Sequence, residues 1–249
     1  MEMRVLLRRV KNKLLPPPKQ EIDVLDLNTR YDLETIKLIK GLGESVNCID
    51  IGAHRGDILR NILKYAPRGR HFAFEPIPHL AEGLKKEFEG RCQVYPYALS
   101  DENGKTEFNY VISNPAYSGI KKRRYDRAHE EDTIIYVEKK RLDEVIPADV
   151  PIHFMKIDVE GGEFQVLKGA ENILRNWKPL LIYEQGLGGA DVYGTEPGVF
   201  FDFMEDLGYK ISLMEYYLLN KKPFSREDYC TQFRNGYNFY FIAYTQSQN

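Results

Sequence analysis

Along most of the chain, short apolar runs alternate with stretches in which apolar residues recur at helical spacing, the pattern of a βαβ protein with a parallel sheet. The run beginning at Val46 ends in Asp50. It is followed by Gly52, Gly56 and a helical pattern at Ile58, Leu59, Ile62 and Leu63, which predicts strand, tight turn and helix. His71 to Glu75 predicts a second strand ending on an acid, and Leu80, Leu84 and Phe88 predict a helix stopped by Gly90. Gln93 to Ala98 predicts a third strand. After a break, Ile152 to Asp158 predicts the next, with His153 inside it as a core histidine, and a helix follows with Phe164, Val166, Leu167 and Ile173 inward. Leu180 to Glu184 is a further strand, and Pro197 to Leu207 a helix stopped by Gly208. Tyr209 to Leu213 and Tyr237 to Tyr244, with no helical pattern between them, predict an antiparallel hairpin at the edge. The result is an α/β fold, a mostly parallel seven-stranded sheet with helices on both faces.

Two stretches depart from this rhythm. Residues 1–15 set Arg4, Arg8, Arg9, Lys11 and Lys13 against an apolar face of Met3, Leu6, Leu7, Val10 and Leu14, predicting a short basic amphipathic helix. Such a helix either lies on an anionic membrane surface or docks on protein. Pro16 to Pro18 form a stiff spacer, a helix from Tyr31 to Gly41 leads in, and the main domain spans 45–249. The second departure is an insertion at about 102–141. Thr106 to Ile112 and Thr133 to Val137 predict a hairpin at the ligand face, interrupted by Asn114, Pro115, Gly119 and the run Lys121-Lys122-Arg123-Arg124. That run is either a solvated loop or a contact for an anionic substrate.

Composition narrows the classes. With 249 residues, 43% hydrophobic and 29% charged, the chain can bury one substantial core. A formal net charge of −2 gives no global pull toward nucleic acid, which is not an expected partner; a small-molecule substrate is. Cys48, Cys92 and Cys230 lack metal-ligand spacing and predict free thiols in a reducing, cytoplasmic compartment. No apolar run approaches the roughly 18 residues of a membrane span.

The chemistry concentrates at strand ends. A dinucleotide fingerprint needs three glycines, whereas here Gly52 and Gly56 stand alone and Asp50 precedes them, a carboxylate that repels a pyrophosphate and suits an ammonium. Glu75 is placed to accept from both hydroxyls of a ribose, and Ser100 and Asp101 to face a nucleobase edge. An adenosine, an α-amino group and a sulfonium together describe S-adenosyl-L-methionine. Asn114-Pro115-Ala116-Tyr117 is a near match to the Asn-Pro-Pro-Tyr box of amino-methyltransferases, which leaves an N-methyltransferase open, as it does a nucleotide-binding Rossmann protein such as a dehydrogenase.

Lys156-Ile157-Asp158-Val159-Glu160-Gly161-Gly162-Glu163 is the most specific segment. With Val46 to Gly56, Phe74-Glu75-Pro76, Ala98 to Asp101, Leu142 to Val145 and Leu167 to Ala170, in that family's order over residues 45–215, it resembles the FkbM family of S-adenosylmethionine-dependent methyltransferases. The resemblance implies a Rossmann-like class I fold and O-methylation of a hydroxyl, often on the sugar of a glycan or glycolipid or on a polyketide. It assigns Asp50, Gly52, Ala53, His54, Gly56, Glu75 and Pro76 to the cofactor, Ser100 and Asp101 to adenine, and Asp158 and Glu160 to the transferred methyl. Asp158 and Glu160 are the candidate bases, with His54 behind them. Tyr117, Ser118 and Glu184 are the candidate substrate contacts. No metal is expected; the alternative is a cation between Asp158 and Glu184. The chain departs from the family pattern at His54, where many members have Asn, and at Tyr117-Ser118-Gly119.

Overall fold

The computed structural model describes residues 24–126 and 129–245. The predicted basic helix and its proline spacer lie outside that range. The chain divides into two compact units, Met1–Leu33 and Glu34–Asn249. The lead-in helix α1, Val24–Gly41, starts earlier than Tyr31, and in the second unit it buries Leu38 and Ile39. Among the described residues no helix is long and apolar enough to cross a membrane.

Among the described residues ten strands follow in chain order: β1 Cys48–Ile51, β2 His71–Phe74, β3 Gln93–Tyr95, β4 Tyr97–Leu99, β5 Gly104–Val111, β6 Asp132–Lys140, β7 Phe154–Ile157, β8 Leu180–Glu184, β9 Lys210–Ser212 and β10 Tyr240–Tyr244. Seven of them form one sheet in the order β3-β2-β1-β7-β8-β10-β9. All pairings are parallel except those of β10, which runs against both β8 and β9. The helices are α2 Asp57–Tyr65, α3 Pro78–Glu87, α4 Leu142–Val145, α5 Glu163–Lys168, α6 Glu171–Trp177, α7 Pro197–Asp206, α8 Met214–Leu218 and α9 Arg226–Arg234. Strand β2 shows why both faces need cover. Ala73 packs with Leu59, Leu84 and Phe88 of α2 and its neighbours, while Phe72 and Phe74 point the other way into the larger core with Val166, Leu174 and Phe200. Strands β1, β2 and β7 are buried throughout, as strands covered on both faces must be.

Three expectations change. The run Gln93 to Ala98 is two strands, because Pro96 has no N–H to give a ladder. Its first half stays in the main sheet as β3. Its second, β4, pairs in parallel with β6, which pairs antiparallel with β5, so the insertion is a three-stranded sheet rather than a bare hairpin. The last two strands of the main sheet are antiparallel as expected, but α8 and α9 lie between them and β10 sits inside β9. Helix α9 carries a capping box, Ser225 with Asp228, and buries Tyr229, Cys230 and Phe233. His153 is exposed just before β7 and its Nδ1 accepts the Asn47 N–H at 3.0 Å, so it is not a core residue.

Strand order reverses direction at β1 and β7. The crevice beyond the carboxyl ends of these strands is where open α/β sheets take ligands.

Candidate active site

The glycine turn after β1 is folded onto the end of β7. Gly52 has φ 78°, and a Cβ there would lie 1.8 Å from the Asp158 carbonyl oxygen, so only glycine fits. The Gly52 and Ala53 N–H groups both donate to the Phe74 carbonyl, each at 3.0 Å, which ties the turn to β2. His54 has φ 47°; its N–H donates to Glu75 Oε2 and the Ile77 N–H to Oε1, both at 2.8 Å. Glu75 is thereby aimed and fixed while buried, and burial pushes its carboxyl up to about 7. Asp50 is 1% exposed, and beyond a weak contact with the Leu59 amide neither carboxyl oxygen has a hydrogen-bond partner among the described residues. Burial pushes it up to about 6. A buried carboxyl left this way costs stability.

The cleft over this turn has Gly52, His54, Glu75, Pro76, Ser100 and Asp101 on its wall. Asp158, Glu160 and Ser118 complete the predicted set that lines it; Asp50, Ala53, Gly56, Tyr117 and Glu184 are not on its wall. Ser100 Oγ donates to Asp101 at 3.1 Å, and Lys168 holds the other Asp101 oxygen. Glu75, Ser100 and Asp101, all on the wall, fit the cofactor's adenosine end.

Past the end of β7, beside the glycine turn, the carboxylates gather. Asp158, one residue past β7, receives Lys156 Nζ at 2.6 Å and the Tyr240 hydroxyl at 2.5 Å on the same oxygen, Oδ2. Burial works to raise its pKa, but the Lys156 ammonium outweighs it, and Tyr240 and Glu184 add hydrogen bonds, so the Asp158 carboxyl sits below the ordinary range. Glu184, ending β8, is pushed well above its ordinary range by burial and by the charges of Glu160 and Asp158. Glu160, at φ 60°, is raised to about 8 by burial and Asp158 against the pull of Arg123. Oxygens of Asp158, Glu160 and Glu184 lie within 4.8 Å of one another. That is close enough to share a cation, and two protein cations already serve them. Lys156 is one. The Arg123 guanidinium is the other, paired with Glu160, 4.0 Å from Glu184 and 4.6 Å from the Tyr117 ring centroid. Glu163 fastens the loop by accepting the Val159 and Gly161 N–H groups at 2.9 and 3.2 Å.

The insertion uses its predicted residues internally. Ser118 Oγ accepts the Val111 N–H at 2.9 Å, and the Tyr117 hydroxyl donates to Asp126 at 3.1 Å. Asn114 to Tyr117 follows β5 of the small sheet as a 3₁₀ turn rather than ending a strand of the main sheet. Lys156, Arg123 and Tyr240 were not singled out from sequence as site residues. Arg123 belongs to the basic run, whose other side chains are more exposed, yet its own side chain is only 10% exposed.

Asp50, Glu75, Glu163 and Glu160 all hold their protons more tightly folded than unfolded. The stability they contribute is present below their unfolded values and lost as pH rises through the folded ones. Ligand-free protein is therefore expected to lose thermal stability between about pH 5 and pH 8. A midpoint that climbs over that window would show these carboxyls ionised in the folded state.

A sheet in this order, with a glycine turn, an acid ending β2 and an unpartnered acid beneath the turn, defines a Rossmann-like methyltransferase of the S-adenosylmethionine-dependent class. The family model described as the methyltransferase FkbM domain matches residues 50–211, and the chain belongs to that family. S-adenosyl-L-methionine is accordingly its cofactor. The structure is similar to a methyltransferase FkbM from Methylobacillus flagellatus at 16% identity and a TM-score of 0.51, covering 81% of this chain and 44% of that one. The chain thus spans less than half the length of that relative. More distant likenesses include a precorrin-6y C5,15-methyltransferase from Geobacter metallireducens (15% identity, TM-score 0.42, 81% and 80% covered). Another is Aeropyrum pernix fibrillarin with natively bound S-adenosyl-L-methionine (13%, 0.44, 86% and 74%). No curated protein matches the chain.

Proposed function

We propose that the protein methylates a hydroxyl group on a sugar or a comparable polyhydroxylated natural product. The observation that carries this reading is Asp158 on the cleft wall next to the glycine turn, its Oδ2 held by Lys156 Nζ and the Tyr240 hydroxyl, which favour its charged form. S-adenosylmethionine, when bound, supplies an electrophilic methyl carbon on a sulfonium. The protein's part is to place an acceptor oxygen in line with the carbon–sulfur bond and to receive its proton. An alcohol is too weak an acid to ionise beforehand, so Asp158 would receive its proton during transfer of the methyl group. Protonated Asp158 then returns the proton to solvent. Glu160, alongside, is suited to accept from further hydroxyls of the same acceptor.

The test is product identity. With S-adenosylmethionine and paired acceptors that offer either hydroxyls alone or an added amine, the expected product is a methyl ether, identified by NMR. Methylation confined to the amines would overturn the reading and return the Asn114 to Tyr117 turn to consideration.

Tyr240→Phe probes the support of the base. Asp158 is faced by Lys156 from its own strand, Tyr240 from β10, Glu184 from β8, Glu160 and Glu163 from the following loop, and Asp50 and His54 from the first strand and turn. Removing one donor raises the Asp158 pKa, so the acid limb of the kcat profile is expected to move to higher pH, with kcat about tenfold lower. An unmoved limb would show that Tyr240 is only a packing residue.

A further inference from the structure

Of the four consecutive cations Lys121 to Arg124, three are spent on carboxylates. Lys122 Nζ is 2.5 Å from Asp132, Arg123 pairs with Glu160, and Arg124 is 2.5 Å from Asp191. Lys121 differs twice over. Among the described residues no carboxylate forms an ion pair with it, and of the four it alone lies on the cleft wall.

Its backbone is fixed by its surroundings. Just before it, Asn109 and Gly119 exchange backbone hydrogen bonds of 2.8 and 3.2 Å, and its own N–H donates to the Tyr193 hydroxyl at 3.0 Å. Its Nζ stands 5.1 Å from the centroid of the Tyr193 ring. The turn also lies at the methyl-transfer end, since a Cβ on Gly119 would come 3.5 Å from the Glu160 Cβ. The cations at the adenine end are different residues, and both are neutralised: Lys139 by Glu102 at 2.5 Å and Lys168 by Asp101.

An uncompensated ammonium on the wall of a cleft attracts anions, and lysine binds phosphate or carboxylate as a point charge. The neighbouring Asp158 carboxylate has the opposite preference, repelling an anion and accepting from hydroxyls. We infer that Lys121 receives an anionic group of the acceptor, which is therefore a hydroxylated molecule carrying a phosphate or a carboxylate, such as a sugar phosphate or a uronic acid. The two ends of such a molecule orient it: the anion goes to Lys121 and a hydroxyl to Asp158. This deepens the O-methyl transfer reading above and rests on it.

The experiment titrates the full chain, loaded with S-adenosylhomocysteine, with inorganic phosphate, glucose 1-phosphate, glucuronate and glucose. Wild type is compared with Lys121→Ala and, as a control for loss of charge, Lys122→Ala. At least one anionic probe is expected to bind about tenfold more tightly than glucose. Lys121→Ala should abolish that preference and Lys122→Ala should keep it. The phosphate and carboxylate arms tell which anion the site takes. Anionic probes that bind no better than glucose, or a preference that survives Lys121→Ala, would overturn the inference. If it fails while Asp158→Asn still stops methyl transfer, the anion site alone is wrong. If Asp158→Asn transfers normally, the fault lies with the base.

Discussion

Asp158→Asn is expected to lower the rate of methyl transfer by roughly 10²–10⁴-fold and to leave affinity for S-adenosylhomocysteine within a few-fold of native. The substitution keeps the shape of the side chain, and its amide oxygen still accepts from Lys156 and Tyr240, so the end of β7 is not rearranged. What disappears is the one carboxylate of the cluster whose surroundings hold it ionised. Glu75, the acid proposed to hold the cofactor's ribose, is fixed by the His54 and Ile77 N–H groups and does not depend on Asp158. Single-turnover rates with calorimetry on the same preparation separate the two effects. Native-rate transfer by Asp158→Asn would remove it from the chemistry.

Gly52→Ala has the largest expected effect on folding. The added methyl would meet the Asp158 carbonyl oxygen at 1.8 Å and its carbon at 2.9 Å, main-chain atoms that no rotamer change can move. It would also stand at φ 78°, where a side chain is disfavoured. Relief requires parting β1 from β7, the central pair of the sheet, at a cost of roughly 3–5 kcal/mol. Gly90→Ala is the control. Gly90 shares the left-handed conformation at φ 71°, but a Cβ there meets nothing within 4 Å, so its cost should be about 1–2 kcal/mol. Urea unfolding of the two variants measures the difference. Equal losses would show that the turn is not seated on β7 as described.

Much of the main sheet is legible in the sequence because β1, β2, β7 and β8 are buried on both faces and so read as unbroken apolar runs. The turn and its acids are legible for a related reason: Asp50, Glu75 and Asp158 each end a strand, where local pattern marks them. Other features escape such reading. Pro96 looks like a flaw inside one strand, and nothing nearby reveals that it divides the chain between two sheets. Helix α9 is hidden by its many charges, although the spacing of Tyr229, Cys230 and Phe233 is helical. The support of the base is hidden most deeply. Tyr240 lies 82 residues from Asp158, and Arg123 lies 37 residues from Glu160, so their meeting depends on strand order and not on any motif.

The division at Pro96 also bears on how such a protein diversifies. The cofactor turn and the base belong to seven strands that share no hydrogen-bonded ladder with β4, β5 and β6. Lys121 and Arg123 are carried by the smaller sheet's connection, so residues there can lengthen, shorten or change sign without altering the register that aligns the glycine turn with Asp158. On the reading proposed above, a change of acceptor can therefore be made in the smaller sheet's connection without touching the ladder of the larger one.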